Sequence, residues 1–179
     1  MLYGIDIFAG AGGLSLGAEL AGISMRYAVE CDPHAAASYR RNFKKATVFC
    51  EDIRKLSTEP MKSEPVFIIM GGPPCQGLSL SNTKTRDMSN PNNRMFEEFL
   101  RFVDDIKPTW FLFENVYGLT KFKNGDENIQ KHIEDRFRAL GYTVNSDVLY
   151  ASGVHRLYGN ALENRVKEIV SFLSYTTFV

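Results

Sequence analysis

A surplus of either charge is missing from this sequence. Lys and Arg total 21, Asp and Glu total 21, and the formal net charge is zero. A domain that gripped many phosphates unaided would carry a basic excess, so the balance argues against such a surface while leaving room for local basic patches. Cysteine is scarce and odd in number, at Cys31, Cys50 and Cys75. The spacings fit no zinc pattern, and no metal is expected. A chain of 179 residues can bury a core without disulfide staples. An odd, small number of cysteines in it points to a reduced, intracellular setting, the cytoplasm. Met1 to Asp6 lacks the basic stretch and apolar core of a secretion signal. No run approaches the roughly 18 apolar residues of a membrane span. Internal repeats, low-complexity tracts and a clear domain boundary are also missing, so residues 1–179 are expected to form one domain.

What is present is an alternation of short apolar runs with helical patterns. Tyr3–Phe8, Met25–Glu30, Thr47–Cys50, Val66–Met70 and Trp110–Phe113 read as strands. Thr143–Leu149 and Ile169–Leu173 are two further candidates. Leu14–Ala21, Ala35–Phe43 behind Pro33, Arg94–Ile106 and Ile129–Leu140 read as helices, with Gly22 and Gly141 as stops. Strands alternating with helices imply a mostly parallel sheet with right-handed crossovers. The expected fold is therefore a doubly wound, Rossmann-like α/β sandwich.

Phe8-Ala9-Gly10-Ala11-Gly12-Gly13 is a glycine turn between the first strand and the first helix. Such a turn lets backbone N–H groups approach a ligand at a helix N-terminus. Glu30 ends the second strand, where an acid can accept hydrogen bonds from ribose hydroxyls. Asp52 follows the third strand and can accept from an adenine amino group. The three together describe a nucleoside-bearing cofactor laid across three strand ends. The glycines read G-x-G-G, not the dinucleotide G-x-G-x-x-G, and no Walker Gly-Lys-Ser/Thr occurs. A cofactor without phosphates fits better than NAD or ATP, and S-adenosylmethionine is one.

The chain pivots on Gly71-Gly72-Pro73-Pro74-Cys75-Gln76-Gly77, which follows the buried run Val66–Met70. Two glycines and two prolines force a rigid, close-approach turn with a thiol at its apex. Leu78 to Asn93 follows as a long aperiodic segment, of the kind that is functional or disordered. Ser79, Ser81, Lys84, Thr85 and Arg86 in it are candidate phosphate contacts. Glu114 then ends the Trp110–Phe113 strand.

Asp6-Ile7-Phe8-Ala9-Gly10-Ala11-Gly12-Gly13, Gly72-Pro73-Pro74-Cys75-Gln76-Gly77 and Phe113-Glu114-Asn115-Val116, in this order, resemble the motifs of the cytosine-5 DNA methyltransferases. The likeness runs from about residue 3 to residue 150. It implies methyl transfer from S-adenosylmethionine to carbon 5 of cytosine in double-stranded DNA, within a restriction-modification or orphan methylation system. It assigns the nucleophile to Cys75 and the acid at cytosine N3 to Glu114. It implies a cofactor pocket formed by Asp6, Phe8, Ala9, Gly10, Gly12, Gly13, Glu30, Cys31, Asp52, Ile53, Pro74 and Met95.

The likeness departs from the family pattern in three places. The family's Asp-x-Arg after the Cys turn has no match beyond Arg94. Its Gln-x-Arg-x-Arg corresponds to Glu163-Asn164-Arg165-Val166-Lys167, with Arg165 placed to orient the site. An alternative alignment sets Tyr158-Gly159-Asn160-Ala161 on the late Gly-Asn-Ala motif. The family also continues well past this length, with a target-recognition domain. The sequence therefore reads as an incomplete catalytic domain, from a split enzyme with a second chain, a truncated product or a fragment. A tRNA-directed branch of the same fold and a non-catalytic cofactor- or partner-binding domain are the rival readings. The tRNA branch's Cys-Phe-Thr signature does not occur here.

Overall fold

The computed structural model describes residues 1–74, 95–121, 123–124 and 127–148. The candidate strand Ile169–Leu173 and the segment Leu78–Asn93 lie outside the described residues. Five strands form one sheet: β1 (Leu2–Ile7), β2 (Ile23–Val29), β3 (Thr47–Phe49), β4 (Ile68–Gly71) and β5 (Trp110–Phe113). Their order is β3-β2-β1-β4-β5, and every pairing is parallel. The chain builds outward from β1 to β3, then crosses back to place β4 on the other side of β1. That reversal opens a crevice beyond the carboxyl ends of β1 and β4, where open α/β sheets bind ligands.

Four helices cover the sheet: α1 (Gly13–Leu20), α2 (Pro33–Asn42), α3 (Met95–Ile106) and α4 (Ile129–Ala139). Two of them, α2 and α4, show a local reason to start or stop. Asp32 caps α2 by accepting from Ala35 N–H at 2.8 Å, and Pro33 supplies a first residue that needs no donor. Asn128 caps α4 by accepting from Lys131 N–H at 3.0 Å. Gly141, at φ +93°, ends it in the left-handed conformation that glycine tolerates.

The continuous apolar runs are explained by burial on both faces. Along β4, Ile68 and Met70 pack with Ala18, Ile23 and Met25, whereas Ile69 joins the core formed with α3 and α4. On α3 the buried positions are Met95, Phe96, Phe99, Leu100, Phe102 and Val103. The expected helical stripe is therefore present, widened by Phe102 and with Ile106 only half-buried.

The expected strand Thr143–Leu149 is not observed. Residues 142–148 join no ladder. Ser146 is instead held by α4, donating to Glu134 Oε1 at 2.8 Å and accepting from Gln130 Nε2 at 3.0 Å. A short hairpin, β6 (Lys123–Asn124) with β7 (Glu127–Asn128), precedes α4.

Candidate active site

At the carboxyl end of β1 the backbone turns sharply. Phe8 has φ +61°, and Gly10 and Gly12 follow at +54° and +98°. Gly12 is fixed by space as well as by φ, since a Cβ there would lie 2.2 Å from the Phe43 ring. Gly10 differs, because a Cβ on it would meet nothing within 4 Å. The turn is thus packed from behind at Gly12 and open in front at Gly10. Asn42 Nδ2 braces it by donating to the Ala11 carbonyl at 3.3 Å.

Glu30 locks this turn to the end of β2. Its Oε2 accepts from Gly10 N–H and its Oε1 from Asp32 N–H, each at 2.7 Å. Each oxygen keeps lone-pair capacity for a further donor. Cys31 beside it is an exposed free thiol whose pKa is pushed up by partial burial and then by the Glu30 charge. Beyond β3, Asp52 opens a 3-10 turn, Ile53–Lys55, and accepts from Arg54 N–H at 3.0 Å. The Arg54 guanidinium also reaches both Asp52 oxygens, at 2.9 Å from Nε to Oδ1 and 2.5 Å from Nη2 to Oδ2. These hydrogen bonds hold the Asp52 carboxyl down at about 2, so it is ionised. Ile53 is buried, as is Met95 at the start of α3.

Asp6 lies beneath the glycine turn and is fully buried. Its Oδ2 accepts from Ser15 Oγ at 2.5 Å, and Ser15 Oγ shares a hydrogen bond of 2.6 Å with Tyr39 Oη. Among the described residues, Asp6 Oδ1 has no hydrogen-bond partner. Burial pushes the Asp6 carboxyl up to about 7.

The Pro-Pro turn leaves β4 through two glycines. A Cβ on Gly71 would sit 1.9 Å from the Ile7 carbonyl oxygen, so only glycine lets β4 lie this close to β1. A Cβ on Gly72 would sit 2.5 Å from Glu114 Oε2, so the Glu114 carboxyl rests directly on the Gly72 backbone. Burial raises the Glu114 pKa above the usual carboxyl range. Asn115 Nδ2 donates to the Pro73 carbonyl at 3.1 Å, and Asn115 Oδ1 accepts from Val116 N–H at 2.9 Å. The end of β5 and the Pro-Pro turn are therefore tied together. Pro74 is exposed at the rim.

The sheet edge thus brings together the glycine turn through Gly13, Glu30, Asp52, the Pro73-Pro74 turn and Glu114. Cys75 and Arg165 lie outside the described residues. Ser15, Tyr39 and Asn42, which brace the glycine turn, were not readable as site residues in the sequence. Ser15 had one available signal, its place in the first turn of the helix behind the glycines. Among the described residues no group of His, Cys, Asp and Glu side chains is arranged to hold a metal, and no helix is long and apolar enough to cross a membrane.

This architecture, with its glycine turn and strand-end acids, defines a Rossmann-like fold of the S-adenosylmethionine-dependent methyltransferase type. A solved structure of a candidate DNA modification methyltransferase, encoded within an E. coli prophage, matches it with a TM-score of 0.65. The two are 34% identical, over 78% of this chain and 38% of that one. The sequence pattern of the C-5 cytosine-specific DNA methylases matches residues 2–157, and the chain belongs to that family. Among curated relatives, the Type II methyltransferase M1.HphI of Haemophilus parahaemolyticus is 37% identical over 83% of this chain and 41% of its own length. M.DdeI of Desulfomicrobium norvegicum is 39% identical over 82% of this chain and 36% of its own. The chain thus spans about two-fifths of the length of these relatives.

Proposed function

We propose that this chain binds S-adenosylmethionine and carries the residues that methylate carbon 5 of cytosine in double-stranded DNA. One observation carries the reading. The cofactor-type turn with Glu30 and the Pro-Pro turn with Glu114 meet along one sheet edge, on adjacent strands β1 and β4, in a chain of this family.

The residues fit the cofactor. Gly10 leaves open space where backbone can approach a ligand. Glu30 retains acceptor capacity for ribose hydroxyls, and ionised Asp52 retains it for an adenine amino group. Among the described residues, Asp6 Oδ1 is a buried acceptor without a donor beneath the same turn. When bound, S-adenosylmethionine supplies an electrophilic methyl group.

The protein's part is to make cytosine carbon 5 nucleophilic. In this reading the Cys75 thiolate adds to carbon 6, and the displaced ring electrons turn the carbon 5 edge into an enamine. Glu114 holds cytosine N3 and supplies the proton that balances the added charge. A carboxyl raised above its usual range suits that donor role. Once carbon 5 carries the methyl group, N3 returns its proton to Glu114, solvent takes the carbon 5 proton, and Cys75 leaves as the thiolate, restoring the ring double bond. The base must first be extruded from the duplex, at a cost of a few kcal/mol.

Two experiments test the reading. Calorimetry with S-adenosylmethionine on the 179-residue chain should give saturable binding that weakens in Glu30→Gln. With S-adenosylmethionine present, a 5-fluorocytosine duplex has no carbon 5 proton to lose after methyl transfer and should trap a covalent adduct. That trap is run with and without the C-terminal part of a curated relative. An adduct of equal yield from Cys75→Ala sinks the assignment of the nucleophile.

A further inference from the structure

The turn after β3 carries Asp52 and Ile53, but its internal bonds do not hold it against the body of the protein. Among the described residues, Asp52 pairs within the turn, to Arg54. Burial of Ile53 and Leu56 gives the turn a seat without a direction. Direction comes from α3. Arg101 Nη2 donates to the Ile53 carbonyl at 2.8 Å and to the Leu56 carbonyl at 3.3 Å. Its Nε donates to Glu98 Oε2 at 2.9 Å, and Asp105 Oδ2 lies 3.8 Å from Nη1. The guanidinium also lies 4.9 Å from the Phe102 ring centroid. Carboxylates and ring together leave the fork one orientation. A second bridge runs beside it, from the buried Thr58 hydroxyl to Asp105 Oδ2 at 2.9 Å.

We propose that Arg101 is a positioning residue for the adenine end of the cofactor site. It fixes the Ile53 and Leu56 carbonyls, and so sets where the Asp52 carboxylate meets the exocyclic amino group. Nη2 holds both carbonyls while Nε holds Glu98, so one rigid plane joins turn and helix, which lysine cannot reproduce because its single ammonium is a point charge on a flexible stem. The proposal rests on the reading of the Asp52 turn as a cofactor site.

The test is calorimetry on the 179-residue chain with S-adenosylhomocysteine and with its analogue lacking the adenine 6-amino group. The wild-type chain should prefer the compound that keeps the amino group. Arg101→Lys should weaken S-adenosylhomocysteine about tenfold, the scale of a charge-assisted hydrogen bond. It should leave the deaminated analogue nearly unchanged, so that the preference collapses. Unchanged affinity for S-adenosylhomocysteine overturns the proposal. So does equal weakening of both compounds, which marks general loosening of the fold. A wild-type chain that binds neither compound overturns the cofactor reading itself, and the proposal with it. If Arg101→Lys melts below the assay temperature, Thr58→Val loosens the same turn from the Asp105 side. It carries the same two opposed outcomes.

Discussion

On the α3/α4 side of the sheet, burial is achieved by rings. Phe111 stacks on Phe137 with centroids 4.1 Å apart, and Phe99 meets Phe113 edge-on at 5.1 Å and Phe137 at 5.9 Å. On the α1/α2 side, a polar chain runs from Tyr39 through Ser15 to a buried Asp6 with one oxygen unpartnered. The first arrangement depends on shape and is indifferent to pH. The second depends on hydrogen bonds and protonation, and it lies directly beneath the glycine turn. The polar chain supports the glycine turn at one end of the candidate cofactor site, while Arg101 and Asp105 of α3 hold the Asp52 turn at the other.

The largest effect should come from the ring side. Phe137→Ala removes a fully buried ring that touches three others. A loss of about 3–5 kcal/mol is expected, the usual scale for emptying such a site. Urea titration should show the same loss at pH 5.5 and pH 8. A loss that changed with pH would break the contrast between the two sides.

The polar side should show the opposite signature. The folded pKa of Asp6, about 7, stands above the ordinary carboxyl value. The folded state therefore binds a proton that the unfolded chain has released, between about pH 4 and pH 7. Stability from this group is full below pH 4 and falls as pH rises to 7. The span is on the order of 4 kcal/mol as an upper figure. Asp6→Asn should flatten that slope and make the protein relatively more stable at pH 8. Denaturant midpoints for wild type and variant, measured from pH 4.5 to 8, check it. Parallel curves would show that Asp6 is not the group that titrates.

A smaller effect is expected where β5 meets the Pro-Pro turn. Asn115→Ala removes the bond to the Pro73 carbonyl and the bond from Val116 N–H. About 1 kcal/mol should be lost, the net scale of such hydrogen bonds. A shift in melting temperature reads it directly.

The same contrast explains what the sequence made legible. Glu30, Asp52 and Glu114 could be placed because buried apolar runs reveal strand ends, and a residue after a strand end has few positions to occupy. The glycine turn was legible because φ beyond +50° at Gly10 and Gly12 leaves glycine as the easy choice. Tyr39 was not, because an aromatic residue on a helix reads as core, and its hydroxyl partner lies 24 positions away. Arg101 was not, because the partners it reaches on the Asp52 turn are carbonyls, which have no side-chain signature. Thr143–Leu149 read as a strand candidate, with β-branched Thr143, Val144 and Val148. Such composition does not say which neighbour the segment packs on, and here Ser146 is taken by α4.

The smallest effect on stability should accompany a pronounced effect on chemistry, at the edge where the two sides meet. Gly72 has no left-handed φ to defend, and its neighbour in space is the far end of the Glu114 side chain. Gly72→Ala forces Glu114 Oε2 away from a position 2.5 Å from the new methyl group, and a carboxyl on two rotatable bonds can move aside. Stability should change by less than about 1 kcal/mol, because no backbone or ring must shift. The displaced carboxyl becomes more hydrated, so the burial that raises its pKa is relieved and the value falls toward the ordinary range. Carbon-13 NMR titration of the Glu114 carboxyl should follow that fall while the melting temperature holds. In the 5-fluorocytosine assay, adduct formation should slow by about tenfold or more, the scale of a general acid removed from its place. A variant that melts early with an unshifted Glu114 pKa would show that Gly72 serves the packing of the Pro-Pro turn rather than the placing of the acid.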